Sequence, residues 1–335
     1  MMKILILYNV ATTLKKGDEL DMVCEQEIQI IVPLVATLLR ARGYEVETLE
    51  ASYSLWENLK ARKGSFGLVL NMAEAFGGTN SNEVLVPMML EALEIPFTGA
   101  TAHNMTITLD KAQTKLIALA NGVPTPAYQI FLDGTEPLDQ ILKFPLIVKP
   151  VREEASIGIR YDNVVMDSKS LRRKAREVIR LYRQPVVVES FVIGREVSVG
   201  IIGNGQGLHV LPPLEFLFKG ARTPYKRIRS YEYKWGGKKE QMVKAVLTTE
   251  MTELLTEYTR RMFIATECRD YARMDFRIAD DGTIYLLEVN YNPGIGPNSH
   301  GLNNTFTKMA SFEGCSFEDL IERIILTAVR REYLV

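Results

Sequence analysis

One stretch constrains this chain more than any other: Tyr271-Ala-Arg-Met-Asp-Phe-Arg-Ile278, an Asp281-Gly282 turn, then Thr283-Ile-Tyr-Leu-Leu-Glu-Val-Asn290. The first arm alternates with period two, so Arg273, Asp275 and Arg277 share one face and Ala272, Met274, Phe276 and Ile278 the other. In the second arm the same period puts Ile284, Leu286, Glu288 and Asn290 on one face. Asp-Gly between such arms predicts a hairpin closed by a two-residue type I′ turn. Asp280 then pairs with Thr283, Asp275 falls opposite Glu288, and Arg273 opposite Asn290. A four-residue loop keeps this pairing, whereas a three-residue loop destroys it.

Directly opposed residues carry Cβ atoms about 5 Å apart, and two bare carboxylates that close repel unless a proton or cation lies between them. Asp275, Glu288 and the Asn290 amide are hard oxygen donors of the kind Mg²⁺ takes together with water and phosphate oxygens. Arg273 adds a fixed positive charge beside them. The competing reading is a solvated face with a charged pattern. The segment that follows, Tyr291-Asn-Pro-Gly-Ile-Gly-Pro-Asn298, favours the cation site, because such a loop offers backbone N–H groups to an anion.

The rest of the chain frames this hairpin. Lys3–Asn9 reads as a buried parallel strand, Glu25–Arg42 as an amphipathic helix ended by Gly43, and Glu45–Glu50, Phe66–Asn71 and Pro96–Gly99 as further strands, with a helix over Val84–Leu93. This alternation predicts an open α/β sheet with its crevice at the strand ends near Asn9, Asn71 and Gly99. A helix from Asp110 to Ala120, strands at Pro145–Pro150 and Pro185–Val192 around a basic helix Ser168–Tyr182, and a strand Arg195–Ile202 follow. Helices Thr248–Phe263 and Phe317–Arg331 flank the hairpin. With 335 residues and 47% hydrophobic content the chain can bury two or three lobes. Forty basic against 41 acidic residues give no electrostatic reason to propose nucleic acid or an anionic membrane as a partner. Three scattered cysteines, Cys24, Cys268 and Cys315, argue against a disulfide framework or a structural zinc. No run reaches the ~18 apolar residues of a bilayer span, and the expectation is a cytoplasmic protein.

Four spaced motifs, in order, resemble the ATP-grasp ligases, specifically the D-alanine–D-alanine ligase branch: Leu109-Asp-Lys111; Ile147-Val-Lys149 through Ser156 to Gly158; Val187-Val-Glu189 through Glu196; and Arg273-Met-Asp-Phe with Leu287-Glu-Val-Asn and Pro293-Gly. The resemblance spans roughly residues 90–325. It implies an α/β ATP-grasp fold, with a parallel α/β domain over 1–100 and two α+β lobes, 101–190 and 191–335, enclosing ATP. It further implies an ATP- and Mg²⁺-dependent ligase (Mn²⁺ as a substitute, two ions per site) joining a carboxylate to an amine through an acyl phosphate. Lys111 and Lys149 would meet ATP phosphates, Glu189 the adenine amino group beside the Phe191–Val192 backbone, and Glu196 the ribose. Asp275, Glu288 and Asn290 would hold the metal, and Arg273 would steady the oxyanion. Lys234, in Tyr231-Glu-Tyr-Lys-Trp235, would be the loop lysine, and Ser156 and Glu25 would touch the first amino acid. A homodimer, with small amino acids or carboxylates as the other partners, follows from the same resemblance. The alternatives are a non-catalytic ATP-binding module and a kinase of a small carboxylate.

The chain departs from that family in its first ~90 residues. Tyr8-Asn-Val-Ala-Thr-Thr stands where the family has a Gly-Gly-x-Ser-x-Glu stretch, and Asn71 to Glu83 replaces a His-Gly…Gly-Glu-Asp-Gly segment. Ala155 and Trp235 remove two hydroxyls that the family places around the first substrate. A pocket altered in this way is expected to favour a side chain bulkier or more apolar than methyl.

Overall fold

The computed structural model describes residues 2–10, 16–18, 28–74, 76–77, 82–154, 156–234, 240–297 and 304–333. The first body contains β1 (Lys3–Tyr8), α1 (Ile28–Ala41), β2 (Glu45–Glu50), α2 (Leu55–Arg62), β3 (Leu68–Asn71) and α3 (Leu85–Ala92). Its sheet is parallel in the order β2-β1-β3, and Phe97 bridges to Val69 as a short parallel extension. A strand read as continuously apolar should be buried on both faces, and β1 is. Ile4 and Ile6 pack towards α1, while Leu5 and Leu7 pack with Leu55, Leu59, Val86 and Leu90 of α2 and α3.

Two helices follow, α4 (Ala102–Leu109) and α5 (Lys111–Ala120). Asp110 separates them, its carboxylate accepting from Ala112 N at 3.0 Å and Gln113 N at 3.2 Å. That cap fixes where α5 starts. Next come β4 (Tyr128–Phe131), β5 (Leu146–Pro150), β6 (Val164–Val165), α6 (Ser168–Tyr182) and β7 (Val186–Ser190), which form an antiparallel sheet in the order β4-β7-β5-β6. The alternation along β5 sends Leu146 and Val148 into the core under α6, leaving Ile147 and Lys149 on the opposite face.

The remaining chain supplies β8 (Gly194–Ile202), β9 (His209–Val210), β10 (Leu214–Phe218), α7 (Tyr231–Lys234), β11 (Glu240–Lys244), α8 (Thr249–Ala265), β12 (Tyr271–Ala279), β13 (Ile284–Asn290), α9 (Thr305–Ser311) and α10 (Phe317–Tyr333). The sheet runs β11-β10-β8-β12-β13, antiparallel throughout, with β9 paired to β8. Val197, Val199 and Ile201 of β8 and Ala272, Met274, Phe276 and Ile278 of β12 pack with Leu255, Met262 and Phe263 of α8 and Ala118 of α5. Helix α10 returns to the first body, where Leu320, Ile321, Ile324 and Ala328 join the core around α1. Asp270, fully buried at the foot of β12, ties these parts together. It accepts from Gly99 N at 2.8 Å, from Asn204 Nδ2 at 2.9 Å and from Arg331 Nε at 2.9 Å.

The hairpin corrects the sequence reading in one respect and keeps its outcome. Ala279 N donates to Thr283 O at 2.9 Å, and Ile278 pairs with Ile284, so the connection is Asp280-Asp281-Gly282, a three-residue loop. That loop offsets the register by one, and a β-bulge at Leu287 restores it. Asp275 therefore does lie opposite Glu288, and Arg273 opposite Asn290. The bulge also splits the face assigned to β13. Ile284 and Leu286 enter the core and are followed there by Val289, while Glu288 and Asn290 turn towards the cleft.

Candidate active site

A cleft lies between the β4–β7 sheet, the β8–β12–β13 sheet and the carboxyl ends of β1 and β3. The small sheet contributes Ile147, Lys149 and Glu189, and the chain leaving it contributes Phe191 and Val192. The large sheet contributes Glu196, Arg273, Asp275, Arg277, Glu288 and Asn290; the first body contributes Asn9, Met72, Glu74 and Glu83. Of the strand ends expected to frame a crevice, Asn9 lines it, whereas Asn71 and Gly99 do not. Asn71 N donates to Thr98 Oγ1 at 3.1 Å, and its Oδ1 accepts from Ala73 N at 3.3 Å.

At one end sits a buried charge cluster. Glu189 on β7 is paired with Lys149 of β5 and lies 2.6 Å from Nζ of Lys115 on α5. Burial alone would push the Glu189 carboxyl up, but the two ammonium groups outweigh it and hold it at about 2. Burial pulls the Lys115 ammonium below its ordinary range. Two cations on one carboxylate at this distance fit an ionised set, and Glu189 is an acceptor at any working pH. Lys115 was not anticipated from the sequence. Its signal was present, since it shares the inward face of α5 with Lys111 and Ala118.

Beyond it, Glu196 is buried, and burial foremost raises its carboxyl despite Arg277 nearby. Glu196 accepts from Arg229 N at 3.3 Å, and Arg277 Nη1 lies 3.7 Å away. Arg277 stacks 4.9 Å from the Phe191 ring centre and its second terminal nitrogen donates to Arg227 O. Phe191 N is occupied by Pro145 O at 3.0 Å.

At the centre, Arg273 grips Asp275 with two parallel bonds, Nε to Oδ1 at 2.8 Å and Nη2 to Oδ2 at 2.9 Å. Ser198 Oγ donates to Oδ1 at 2.5 Å and Asn290 Nδ2 to Oδ2 at 2.9 Å. Burial opposes ionisation of Asp275, yet Arg273 and Ser198 hold its carboxyl below the usual range. Ser198 is a second residue missed at the sequence level, though it alternates with Val197 and Val199 on the polar face of β8. Lys111 does not line the cleft; it donates to Glu153 O and lies 3.5 Å from Glu288 Oε2. Ser156, in the left-handed region at φ 65°, lines the cleft and donates to Arg229 O at 2.9 Å. Lys234 ends α7, but its side chain lies outside the described residues, as do Glu25, Ala155 and Trp235.

Towards the first body the cleft is acidic. Glu83 is buried and accepts from Tyr291 Oη at 3.2 Å; burial first, then Glu154 and Glu74, raise its carboxyl well above the ordinary range. Glu154 is pushed up to about 8, chiefly by burial, with Lys111 opposing. Among the described residues no three His, Cys, Asp or Glu side chains converge as a ready metal cluster. The donor chemistry of Asp275, Glu288 and Asn290 nevertheless suits a hard cation. Their cleft-facing, cross-strand placement fits one too.

The family described as D-ala D-ala ligase C-terminus matches residues 117–326. A D-alanine–D-alanine ligase of Carboxydothermus hydrogenoformans is 31% identical over 298 residues, covering 86% of this chain and 89% of that protein. This chain belongs to the D-alanine–D-alanine ligase family. The same degree of likeness extends to an uncharacterized protein y4sG of Sinorhizobium fredii, 32% identical over 269 residues, 80% of this chain and 76% of that one. The fold agrees with solved members. A Bacillus anthracis D-alanine–D-alanine ligase superposes with a TM-score of 0.74 at 22% identity, over 99% of this chain and 98% of that one. The VanG D-Ala:D-Ser ligase of Enterococcus faecalis gives 0.71 at 17% identity, over 98% and 99%. In this family member the ATP-grasp architecture is thus a parallel α/β sheet joined to two antiparallel ones. No helix among the described residues is long and apolar enough to cross a membrane.

Proposed function

We propose that this protein is an ATP-dependent ligase that joins two small amino acids into a dipeptide. The observation that carries the reading is the convergence on one cleft of Lys149, Glu189, Glu196, Arg273, Asp275, Glu288 and Asn290, residues from motifs far apart in the chain. When bound, ATP supplies the phosphoryl group that activates a carboxylate as an acyl phosphate, and divalent cations neutralise its charge. Glu189, ionised and recessed, accepts from an exocyclic amine such as that of adenine. Glu196 is positioned for ribose hydroxyls. Lys149 offers its ammonium to phosphate oxygens, and Lys111, 3.5 Å from Glu288 Oε2, is assigned to them as well. Asp275, Glu288 and Asn290 would hold the cations. Arg273, fixed in orientation by Asp275, presents a guanidinium edge to an oxyanion. Ser156, Lys234 and Glu25 are assigned to the amino-acid end. Ser156 and Arg229, which line the cleft and are joined by a hydrogen bond, would help to exclude water that hydrolyses an activated acyl group.

We assign the first body, 1–100, to substrate binding and the spans 101–190 and 191–335 to the two lobes around the nucleotide. A cytoplasmic homodimer is our reading of the assembly, which light scattering would test; a monomer at working concentration would refute it. The function itself is tested by incubating the protein with ATP, Mg²⁺ and pooled amino acids, including D-alanine, the substrate in the names of its relatives. Amine-dependent release of ADP and phosphate with a dipeptide product is expected. A stable phosphorylated product would make it a kinase instead, and no turnover would make it a binding module.

A further inference from the structure

The buried triad Lys115–Glu189–Lys149 has a feature the proposed reaction does not explain. Lys149 lines the cleft, whereas Lys115 does not and is 1% exposed. The Lys115 ammonium is fixed from behind by Thr125 Oγ1 at 2.9 Å, whose hydroxyl in turn donates to Leu286 O of β13 at 2.8 Å. It therefore reaches no ligand. Glu189 thus has one cation that can move into the cleft and one that cannot.

A lysine that swings out to serve a phosphate leaves the carboxylate it rests on. If it were the only partner, its departure would strand a buried charge, which proteins avoid by protonating the group or by not releasing the partner. We propose that Lys115 is a resident counter-ion, a positioning residue that keeps Glu189 ionised while Lys149 exchanges Glu189 for a phosphate. This rests on the reading of Lys149 as the phosphate-binding lysine. The other groups around Glu189 do not replace Lys115. Tyr128 of β4 pairs with Glu189 in register and lies under Lys115, 5.6 Å from Nζ to ring centre. Arg277 of β12 feels the Glu189 charge but is committed to Arg227 O and Glu196. From β13, Glu288 adds only a second, more distant attraction on Lys115.

Removal of Lys115 has a signature that simple destabilisation lacks. In Lys115→Met, nucleotide binding would draw Lys149 off Glu189 and leave Glu189 to take up a proton from solvent. Binding that takes up a proton weakens as pH rises, by up to about tenfold per pH unit between the pKa of Glu189 in the free protein and its raised pKa in the complex. The experiment is calorimetric titration of the full chain with Mg²⁺ and a non-hydrolysable ATP analogue at pH 7.5 and 9.0. Each variant is read as its Kd relative to wild type at the same pH, so that ligand ionisation cancels. We expect the Lys115→Met ratio to rise several-fold between the two pH values. Lys115→Gln, which retains a hydrogen-bonding head without charge, should do the same, and it serves if the methionine variant folds poorly. Lys115→Arg should stay flat, and Lys115→Met/Glu189→Gln should lose the pH dependence, there being no charge left to strand. A flat ratio in Lys115→Met or Lys115→Gln, or a pH slope that survives in the double variant, overturns the counter-ion role alone. Failure of the wild type to bind the Mg²⁺ nucleotide overturns the ligase reading and this inference with it.

Discussion

Arg273 carries two duties, and a pair of substitutions separates them. Arg273 and Asp275 are each about nine-tenths buried as side chains, 10% and 12% exposed, and meet through two bonds of 2.8 and 2.9 Å. Arg273→Met keeps the aliphatic volume but leaves the Asp275 carboxylate with Ser198 and Asn290 alone. Removing one partner of a buried ion pair costs about 3–5 kcal/mol, enough to lower Tm by several degrees. The sign of the pH effect follows from Asp275. In the wild type Arg273 holds that carboxyl below its usual value against the burial that would raise it, so its stabilisation is present above an unfolded pKa of about 3.9 and is lost as pH falls. Without Arg273 burial is less opposed, so the deficit of Arg273→Met should be full near neutral pH and shrink towards pH 4. Arg273→Met/Asp275→Asn removes the stranded charge and should recover most of the stability at pH 7.5. Turnover should not return, because the cation facing the oxyanion is still missing, a loss of about 10²-fold or more, and Asp275→Asn also weakens a ligand of the divalent cation. Calorimetric unfolding and ADP release on the same samples provide both readouts. If Arg273→Met is as stable as wild type at pH 7.5, or if the double variant regains turnover, the assignment of two separable roles is wrong.

Three further outcomes are expected. Glu288→Gln should preserve Tm and cut turnover by roughly 10²-fold or more, since a neutral amide ligates a cation more weakly than a carboxylate; near-normal rates at saturating Mg²⁺ would remove Glu288 from the metal site. Glu154, raised by burial from 4.5 to about 8, holds a proton in the folded state that the unfolded chain gives up, so stability should fall as pH rises through that window. Glu154→Gln escapes this loss, and its Tm advantage over wild type should grow between pH 5 and pH 8.5; a constant gap would show that Glu154 is effectively solvated. Gly194, at φ 154°, would carry a Cβ only 2.0 Å from Ile278 O, so Gly194→Ala should disrupt the β8–β12 pairing beneath Glu196 and lower the urea midpoint sharply.

Much of the architecture was legible because it depends on local chemistry. Ser168–Tyr182 is read with both ends correct: Asp167 caps its start by accepting from Ser170 N at 2.8 Å, and its apolar stripe covers the small sheet. Strands β1, β2 and β8 announce themselves by apolar runs or alternation. What escaped depends on partners distant in sequence. The segments Leu214–Phe218 and Glu240–Lys244 become β10 and β11 only because β8 offers an edge, and the second is polar enough to read as loop. Helix α4 follows directly on Thr101, whose hydroxyl accepts from Asn104 N at 3.0 Å, in a stretch too short and mixed to show a clear period. The same holds within the site. Arg273, Asp275 and Glu288 are conspicuous as charges on a strand, whereas Lys115 looks like any helix lysine until β7 brings Glu189 to it.

The hairpin shows how a correct site can follow from an incorrect turn. Gly282, at φ 86°, closes a three-residue loop, and glycine there is what that loop needs. Carried straight down both strands, its register would set Asp275 against Leu287 and turn Glu288 to the wrong face. The extra residue at Leu287 absorbs the offset. It does so where the apolar requirement changes sides: Leu286 still fills the core below the sheet, and Val289 must fill it again three residues later. A strict period of two cannot bury both, since positions an odd number apart point to opposite faces. The pattern Leu286–Leu287–Glu288–Val289 therefore encoded the bulge all along, in the spacing of its buried residues rather than in its turn. Two constraints, core packing below and paired acids above, are met together only by a strand that breaks its own alternation. Bulges concentrate beside functional sites because they re-aim a side chain at the cost of one ladder position. Here the side chain that is re-aimed is Glu288.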